Sequence, residues 1–143
     1  MEIQRHIPLA PMTTLRVGGS ASYYVRVTTE TELHDAVLFA ETHALPITVI
    51  GGGSNILVKD EGVSGLVLSP HFTHLTYHEH DAHTVYVTAG AGVLLDDLVS
   101  DTVERGLWGL ENLSHIPGTV GGVPIQNVGA YGVEAKDVVV EVR

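Results

Sequence analysis

The stretch Thr48-Val49-Ile50-Gly51-Gly52-Gly53-Ser54-Asn55-Ile56-Leu57-Val58 constrains this chain more than any other. A β-branched run leads into three glycines, a serine and an asparagine, and a second apolar run starts at once. Consecutive glycines permit φ > 0 because no Cβ forbids it, so successive backbone N–H groups can point into one concavity. Such a nest binds anionic oxygens. A dinucleotide fingerprint of the doubly wound kind needs a strand, then glycines, then a helix. Here no third glycine stands at the required place, and Ile56-Leu57-Val58 reads as a strand rather than a helix start. The expected order is strand, glycines, strand. From the loop alone, a glycine-rich turn without a ligand is an equal reading.

Charge narrows what such a nest could hold. The net charge is −10 at pH 7, and the seven basic residues are Arg5, Arg16, Arg26, Lys59, Arg105, Lys136 and Arg143. They do not cluster, which argues against a nucleic-acid surface with its many phosphate contacts. An acidic protein so poor in cations must hold phosphate with local backbone N–H groups rather than a basic patch. The 143 residues suit one domain or two small lobes with a real core. No run approaches the roughly 20 apolar residues that span a bilayer, and Met1–His6 does not open a signal peptide. The absence of cysteine excludes disulfides, thiolate zinc sites and iron–sulfur clusters. A cytoplasmic location is the default expectation.

Periodicity then divides the chain. Residues 1–21 read as irregular, with Pro8, Pro11 and the pair Gly18-Gly19. Tyr23 to Val27 reads as a strand. Thr29 and Glu32 form a capping box, and the helix behind it places Leu33, Ala36, Val37, Ala40 and Ala44 on one stripe. Ile47–Ile50, Ile56–Val58 and Leu66–Leu68 follow as short strands. The first lobe is thus expected to be a β-α-β-β unit over residues 1–70. The second lobe, 71–143, opens on a hairpin in which Leu75–Glu79 and Thr84–Ala89 flank His80–His83. After Gly90-Ala91-Gly92 comes a helix with Leu95, Leu98, Val99, Thr102 and Val103 on one face, Asp96 and Asp97 at its positive end, and Gly106 at the C′ position. The fold class is α+β in two lobes, with a sheet made partly antiparallel by the hairpin.

Gly106 to Gly132 is glycine-rich and apolar at once. A solvated linker would be more polar, so this loop either lies against something flat and partly buried or is a tightly turned core crossover. The last residues, Asp137–Arg143, read as a strand in progress, as in part of a longer protein.

Taken in order, these pieces resemble a known family. Thr14-Leu15-Arg16-Val17-Gly18-Gly19, Gly51–Leu57, Gly90-Ala91-Gly92, Gly109–Leu113, Ile116–Gly122 and Gln126–Gly132 resemble the motifs of the UDP-N-acetylenolpyruvoylglucosamine reductase family, also called UDP-N-acetylmuramate dehydrogenases. The ordered set covers nearly the whole chain. Pro124-Ile125-Gln126-Asn127 looks like the subtype with an extra substrate-covering loop further on. Thr13 departs from the family, which commonly has Asn there.

The resemblance implies a two-lobed FAD-binding module of the vanillyl-alcohol-oxidase/PCMH type. Gly51, Gly52, Gly53, Ser54 and Asn55 would hold the FAD pyrophosphate. Pro117, Gly118, Thr119, Val120, Gly121 and Gly122, with Asn127, Gly129 and Ala130, would lie along the flavin, where glycine permits close backbone approach. Tyr131 would sit near the substrate; a half-buried packing tyrosine is the competing reading. No histidine stands in Gly51–Asn55 to carry a covalent flavin. In such enzymes, which serve peptidoglycan and cell-wall synthesis, NADPH reduces the flavin and the flavin reduces the enolpyruvyl ether of a UDP-sugar. The family's catalytic serine, arginine and glutamate have no counterpart in residues 1–143, and its C-terminal substrate domain is missing. The implied entity is an oxidoreductase's FAD-binding portion, inactive alone. Rival readings are a non-catalytic interaction module that keeps the fold, and another flavoprotein oxidase.

Two weaker signals complete the reading. His71, His74, His78, His80 and His83 crowd the hairpin, and a solvated tip without metal explains them. Glu111 reads as a loop hydrogen-bonding residue rather than a general base.

Overall fold

The structure, a computed structural model, describes residues 1–143, which divide into two compact units, Met1–Phe72 and Thr73–Arg143. The fold is mixed α+β. In the first unit, strands β1 (Ile3–Pro8), β2 (Ser20–Val27), β3 (Ile47–Val49) and β4 (Val63–Pro70) make one sheet in the order β1-β2-β4-β3. β1 pairs antiparallel with β2, while β2, β4 and β3 run parallel. β4 is central, so Leu66, Val67 and Leu68 are all buried in an unbroken apolar run rather than an alternating one.

Helix α1 (Glu30–Thr42) packs its small residues Ala36 and Ala40 on one sheet face, against Val25, Val27, Leu66 and Leu68. Its start is set by Thr29, whose hydroxyl accepts the Glu32 N–H at 3.2 Å. The expected capping box is shifted by one residue on its return arm. Glu32 accepts from the N–H and the hydroxyl of Thr28 at 2.7 and 2.8 Å, not from Thr29. Those two donors hold its carboxyl down at about 2.

The opposite face buries Leu9, Ala21, Ile50, Val58 and Val67. Ile50 and Val58 therefore anchor both ends of the glycine stretch in the core. β3 and β4 are parallel neighbours, and parallel neighbours need a long crossover. The 50–62 segment is that crossover, and it contains no helix.

Several expectations fail here, each for a physical reason. Residues 3–8 are a strand, not irregular: as the sheet edge, β1 tolerates Pro8 at its end. Ile56–Val58 is not a strand, because the neighbouring segment supplies isolated bonds such as Gly19 N–H to Lys59 O at 2.9 Å and no ladder. Ala44 is not on the α1 stripe. It lies beyond the helix at φ 52, where the Ala44 and Leu45 N–H groups close the last turn on Glu41 and Ala40.

In the second unit, β5 (Leu75–Glu79) and β6 (Val85–Ala89) form an antiparallel hairpin. It is a sheet of its own rather than part of the larger one. Helix α2 (Leu95–Glu104) buries Leu95, Leu98, Val99 and Thr102, while Val103 is 53% exposed and off the expected face. Gly106 closes α2 at φ 72 as expected. Beyond it lie two 3₁₀ turns, Glu111–Leu113 and Val120–Gly122, and the single-turn helix α3 (Val123–Gln126). A two-residue ladder of β7 (Gly129–Ala130) with β8 (Val133–Glu134) and a last turn, α4 (Ala135–Val138), follow. Leu95, Val99, Leu113, Val123 and Ala135 share the core. The strand expected over Asp137–Arg143 does not form: 137–138 complete α4 and 139–143 have no regular structure. No helix is long and apolar enough to cross a membrane.

Candidate functional site

In the first unit the candidate site is the turn Gly51–Asn55, just past the carboxyl end of β3, where parallel sheets place ligands. Gly51 and Gly52 are exposed and Gly53 is buried. Of the three, only Gly53 has positive φ, at 66°. A Cβ there would stand 2.0 Å from the Met12 carbonyl oxygen, so this residue is glycine because the 12–14 backbone crosses it. Thr14 N–H donates to Gly53 O at 3.1 Å and fixes the crossing. The N–H groups of Gly51, Gly52 and Gly53 take no part in the backbone hydrogen bonds that close the surrounding turns. One glycine holds the loop, and the other two present main chain to solvent.

Thr13, the departure from the family pattern, is 5% exposed. Its hydroxyl donates to Ala10 O at 3.2 Å and accepts from Arg16 N–H at 3.1 Å. Threonine thus caps this turn by itself.

In the second unit, Gly90-Ala91-Gly92 and Pro117–Gly122 are separate motifs in sequence but neighbours in space. Val120 N–H donates to Val93 O at 2.8 Å, Gly121 N–H to Ala91 O at 3.0 Å, and Leu95 N–H to Gly118 O at 3.1 Å. Gly121 lacks a Cβ where one would meet the Ala91 methyl at 2.8 Å. Glycine on both sides is the one sign of this pairing legible in the sequence. Asp96 reaches further than a dipole partner: its carboxylate accepts the His115 N–H at 2.7 Å and pins the loop. Glu111 accepts the Gly109 N–H at 2.6 Å, which lowers its pKa and keeps it a loop residue.

Asn127 sits at φ 45 with both ends of its amide engaged. Nδ2 donates to Glu134 Oε2 at 3.1 Å, and Oδ1 accepts the Lys136 N–H at 3.0 Å. Glu134 also accepts from the Lys136 ammonium, and these two donors lower its pKa. Gly129 leaves room for this carboxylate arm, since a Cβ there would meet Glu134 Cγ at 3.0 Å. Tyr131 and Gly132 connect β7 to β8 with φ 53 and 85, the pattern of a type I′ turn. A tyrosine in that conformation is strained, and its side chain is 89% exposed, so it is not the half-buried packing residue of the competing reading. A cleft of ≈ 620 Å³ lies along this hairpin, lined by Asn127, Gly129, Ala130, Gly132, Glu134 and Lys136 among others.

The hairpin histidines do not converge: no group of three His, Asp or Glu could hold a metal ion, and His80 instead stacks on Tyr86 at 4.5 Å. Sequence reasoning missed the Tyr77–Asp101–Arg105 cluster. Tyr77 OH and Arg105 Nε both donate to Asp101, and the guanidinium lies 4.3 Å from the Tyr77 ring centre. The i,i+4 spacing of Asp101 and Arg105 was its one readable sign.

Against this geometry stand the comparisons with known proteins. The model of a family described as an FAD binding domain matches residues 21–143. The chain belongs to the FAD-binding domain family. Its relatives in that family bear out the resemblance read from the ordered motifs. The chain is 45% identical over 138 residues to the UDP-N-acetylenolpyruvoylglucosamine reductase of Thermobifida fusca, covering 96% of this chain and 39% of that protein. It is 44% identical over 142 residues to that of Acaryochloris marina, covering 99% and 46%. The crystal structure of the reductase from Thermus caldophilus matches with a TM-score of 0.75 and 38% identity, over 94% of this chain and 45% of that one. The expected α+β fold of the FAD-binding PCMH type is thus met. The chain spans less than half the length of the curated relatives cited.

The residues fit the cofactor of an FAD-binding domain. Exposed glycine amides stand in a stretch, 42–59, that contains no carboxylate to repel a diphosphate.

Proposed function

We propose that the chain is the FAD-holding portion of an NADPH-dependent reductase that converts UDP-N-acetylglucosamine enolpyruvate to UDP-N-acetylmuramate in cytoplasmic peptidoglycan synthesis. The observation that carries the reading is the Gly51–Gly53 turn, exposed at Gly51 and Gly52, whose N–H groups stay out of the turn-closing backbone bonds in a segment without carboxylates. Gly51–Asn55 bind the cofactor's diphosphate. Backbone donors suit this task because they are fixed by the fold and lose no side-chain entropy. Pro117–Gly122 with Gly129 and Ala130 give the flavin a surface of low relief, kept rigid by the bonds to Ala91, Val93 and Leu95. FAD, when bound, supplies the ring that accepts hydride from NADPH and delivers it to the enolpyruvyl ether.

Asn127, whose amide is bonded to Glu134 and Lys136, shapes the loop that lies along the flavin. Tyr131, held at an exposed tip, is offered to the UDP-sugar. Within 1–143 no serine, arginine or glutamate matches the family's proton donor and enolate-stabilising pair, so the chain alone is inactive.

The test is direct. Purified protein is mixed with FAD, freed of excess by gel filtration, and examined by absorbance at the flavin bands. Retained flavin with no NADPH oxidation in the presence of the enolpyruvyl substrate is the expected result. A folded sample that never takes up FAD overturns the reading, and turnover overturns the claim of inactivity.

A further inference from the structure

We infer that Arg16 completes the anion site at the glycine turn, giving one charge-assisted contact to the diphosphate of a dinucleotide; the inference rests on the FAD reading above. Most of the chain's cations are already engaged. Arg105 pairs with Asp101, Lys136 with Glu134 and Arg143 with Glu141. Arg5 lies over the Tyr23 ring at 5.2 Å. Arg16, Arg26 and Lys59 enter no ion pair and no ring contact, and of these three Arg16 stands on the loop that is bonded to Gly53.

Its position is fixed relative to the turn. Arg16 N–H donates to Thr13 O at 3.2 Å and to the buried Thr13 hydroxyl at 3.1 Å. Two residues earlier, Thr14 N–H is bonded to Gly53 O at 3.1 Å. Two residues of chain span at most about 7 Å, so Arg16 lies beside the turn and within reach of its side chain's own length. On the other flank, a Cβ on Gly18 would stand 2.5 Å from Val58 Cβ, and Gly19 N–H donates to Lys59 O at 2.9 Å. The 12–19 loop is therefore stitched to both ends of the 53–59 segment, with Arg16 exposed in its middle.

Two further observations bear on the site. Arg16 has φ 54, a left-handed conformation that glycine adopts freely and an arginine does not. Replacing it by glycine therefore removes the guanidinium without straining the backbone. Moreover, residues 3–29 and 42–59 contain no Asp or Glu, in a chain whose net charge is −10. The two stitched loops carry no carboxylate of their own, Asp60 and Glu61 standing at the far end beside Gly19, and a guanidinium on the first loop suits a phosphate oxygen.

The experiment titrates the full chain with FAD, ADP and riboflavin, following flavin fluorescence or heat. Four proteins are compared: wild type, Arg16→Gly, Arg16→Lys and Lys59→Ala. Arg16→Gly relieves the backbone, so its unfolding midpoint holds or rises. It should nonetheless bind FAD and ADP about tenfold more weakly, with riboflavin unchanged. Arg16→Lys should fall between the two, and the salt dependence of ADP binding should flatten in Arg16→Gly. Wild-type affinity for FAD in Arg16→Gly overturns the inference and leaves the FAD reading standing. An equal loss in Lys59→Ala also overturns it, because a long-range field would then explain both. If the wild type binds neither FAD nor ADP, both readings fall together.

Discussion

In the Met1–Phe72 unit, the glycine turn is held by backbone crowding: the Met12 carbonyl occupies the space where Gly53 would carry a Cβ. In the Thr73–Arg143 unit, backbone bonds join 91–95 to 118–121, but the loops at 109–115 and 127–136 are tied by polar side chains. Asp96 takes the His115 N–H, Glu111 takes the Gly109 N–H, and Asn127 joins Glu134 to Lys136. The contrast follows from the elements available. A four-stranded sheet offers a rigid backbone to press a loop against, while a hairpin and single helical turns offer little, and polar side chains must supply the fixing. The first loop should thus be sensitive to added volume and the second to lost polar groups.

The largest effect expected tests the first half of this contrast. Gly53→Ala forces a Cβ to within 2.0 Å of a backbone oxygen at φ 66. Neither partner is a flexible chain end, so the loss should be on the order of 3–4 kcal/mol in denaturant unfolding. Gly51→Ala, at an exposed position, should change stability by about 0.5 kcal/mol or less. In the second unit Asn127→Ala adds no volume but removes two hydrogen bonds and a side chain that tolerates positive φ, at a cost of about 1–2 kcal/mol. Equal losses from Gly53→Ala and Gly51→Ala would break the comparison at its root.

These positions also show what a sequence reveals of such a molecule. The parallel core was readable because β4 is apolar throughout and α1 carries its alanines at helical spacing. The start of α1 was readable because a Thr-x-x-Glu pattern is local chemistry. The glycine turn was readable as a break between two apolar runs, yet its neighbours were not. Ile56–Val58 has strand-like residues, but a strand needs a partner, and partnership is a tertiary fact. The edge strand β1 hid behind prolines that an edge permits. In the candidate site, motif order pointed to Pro117–Gly122 and Asn127–Ala130, while the fastening of 91–95 to 118–121 depends on contacts remote in sequence. Asn127 shows the same limit: its motif carried no sign that its amide is bonded to Glu134 and Lys136, seven and nine residues on.

The two helix ends allow a finer test, because the same closing motif occurs in both units with different residues. α1 ends on Ala44 at φ 52 and α2 on Gly106 at φ 72. In each, the C′ and C″ N–H groups close on the last turn, at 3.0 and 2.8 Å for Ala44 and Leu45, and at 2.9 Å for both Gly106 and Leu107. Nothing lies within 4 Å of a Cβ on Gly106, so Gly106→Ala isolates the conformational cost of an L residue there. That cost should be about 1 kcal/mol. Ala44→Gly should stabilise by about 0.5–1 kcal/mol, the gain being trimmed by glycine's freedom in the unfolded chain. Opposite signs are the expected outcome in thermal unfolding. Destabilisation by both substitutions would mean that the Ala44 methyl makes a packing contribution larger than its backbone strain.

Acid should separate the two units by the smallest margin. In the first, Glu32 alone has a markedly lowered pKa, about 2, set by the Thr28 N–H and hydroxyl. In the second, four carboxyls are lowered. Arg105 and Tyr77 act on Asp101, the Gly109 N–H on Glu111, Lys136 and Asn127 on Glu134, and Arg143 on Glu141. A carboxyl whose folded pKa lies below its unfolded value stabilises the fold above the unfolded value, near 4.5 for Glu. That contribution fades as pH falls through the folded value. Protonation on the way down therefore weakens more ties in the second unit than in the first. These groups are exposed and screened, so each effect is small and should shrink further in high salt. Amide hydrogen exchange between pH 5 and pH 3, corrected for intrinsic rates, should show residues 109–137 opening before the β2–β4 core. Glu32→Gln should flatten the acid response at the start of α1 and leave 109–137 as it was. Simultaneous loss of protection across both units at low salt would mean that side-chain ties do not set the stability of the second unit, and that its loops are held by packing on Leu113 and Val123 instead.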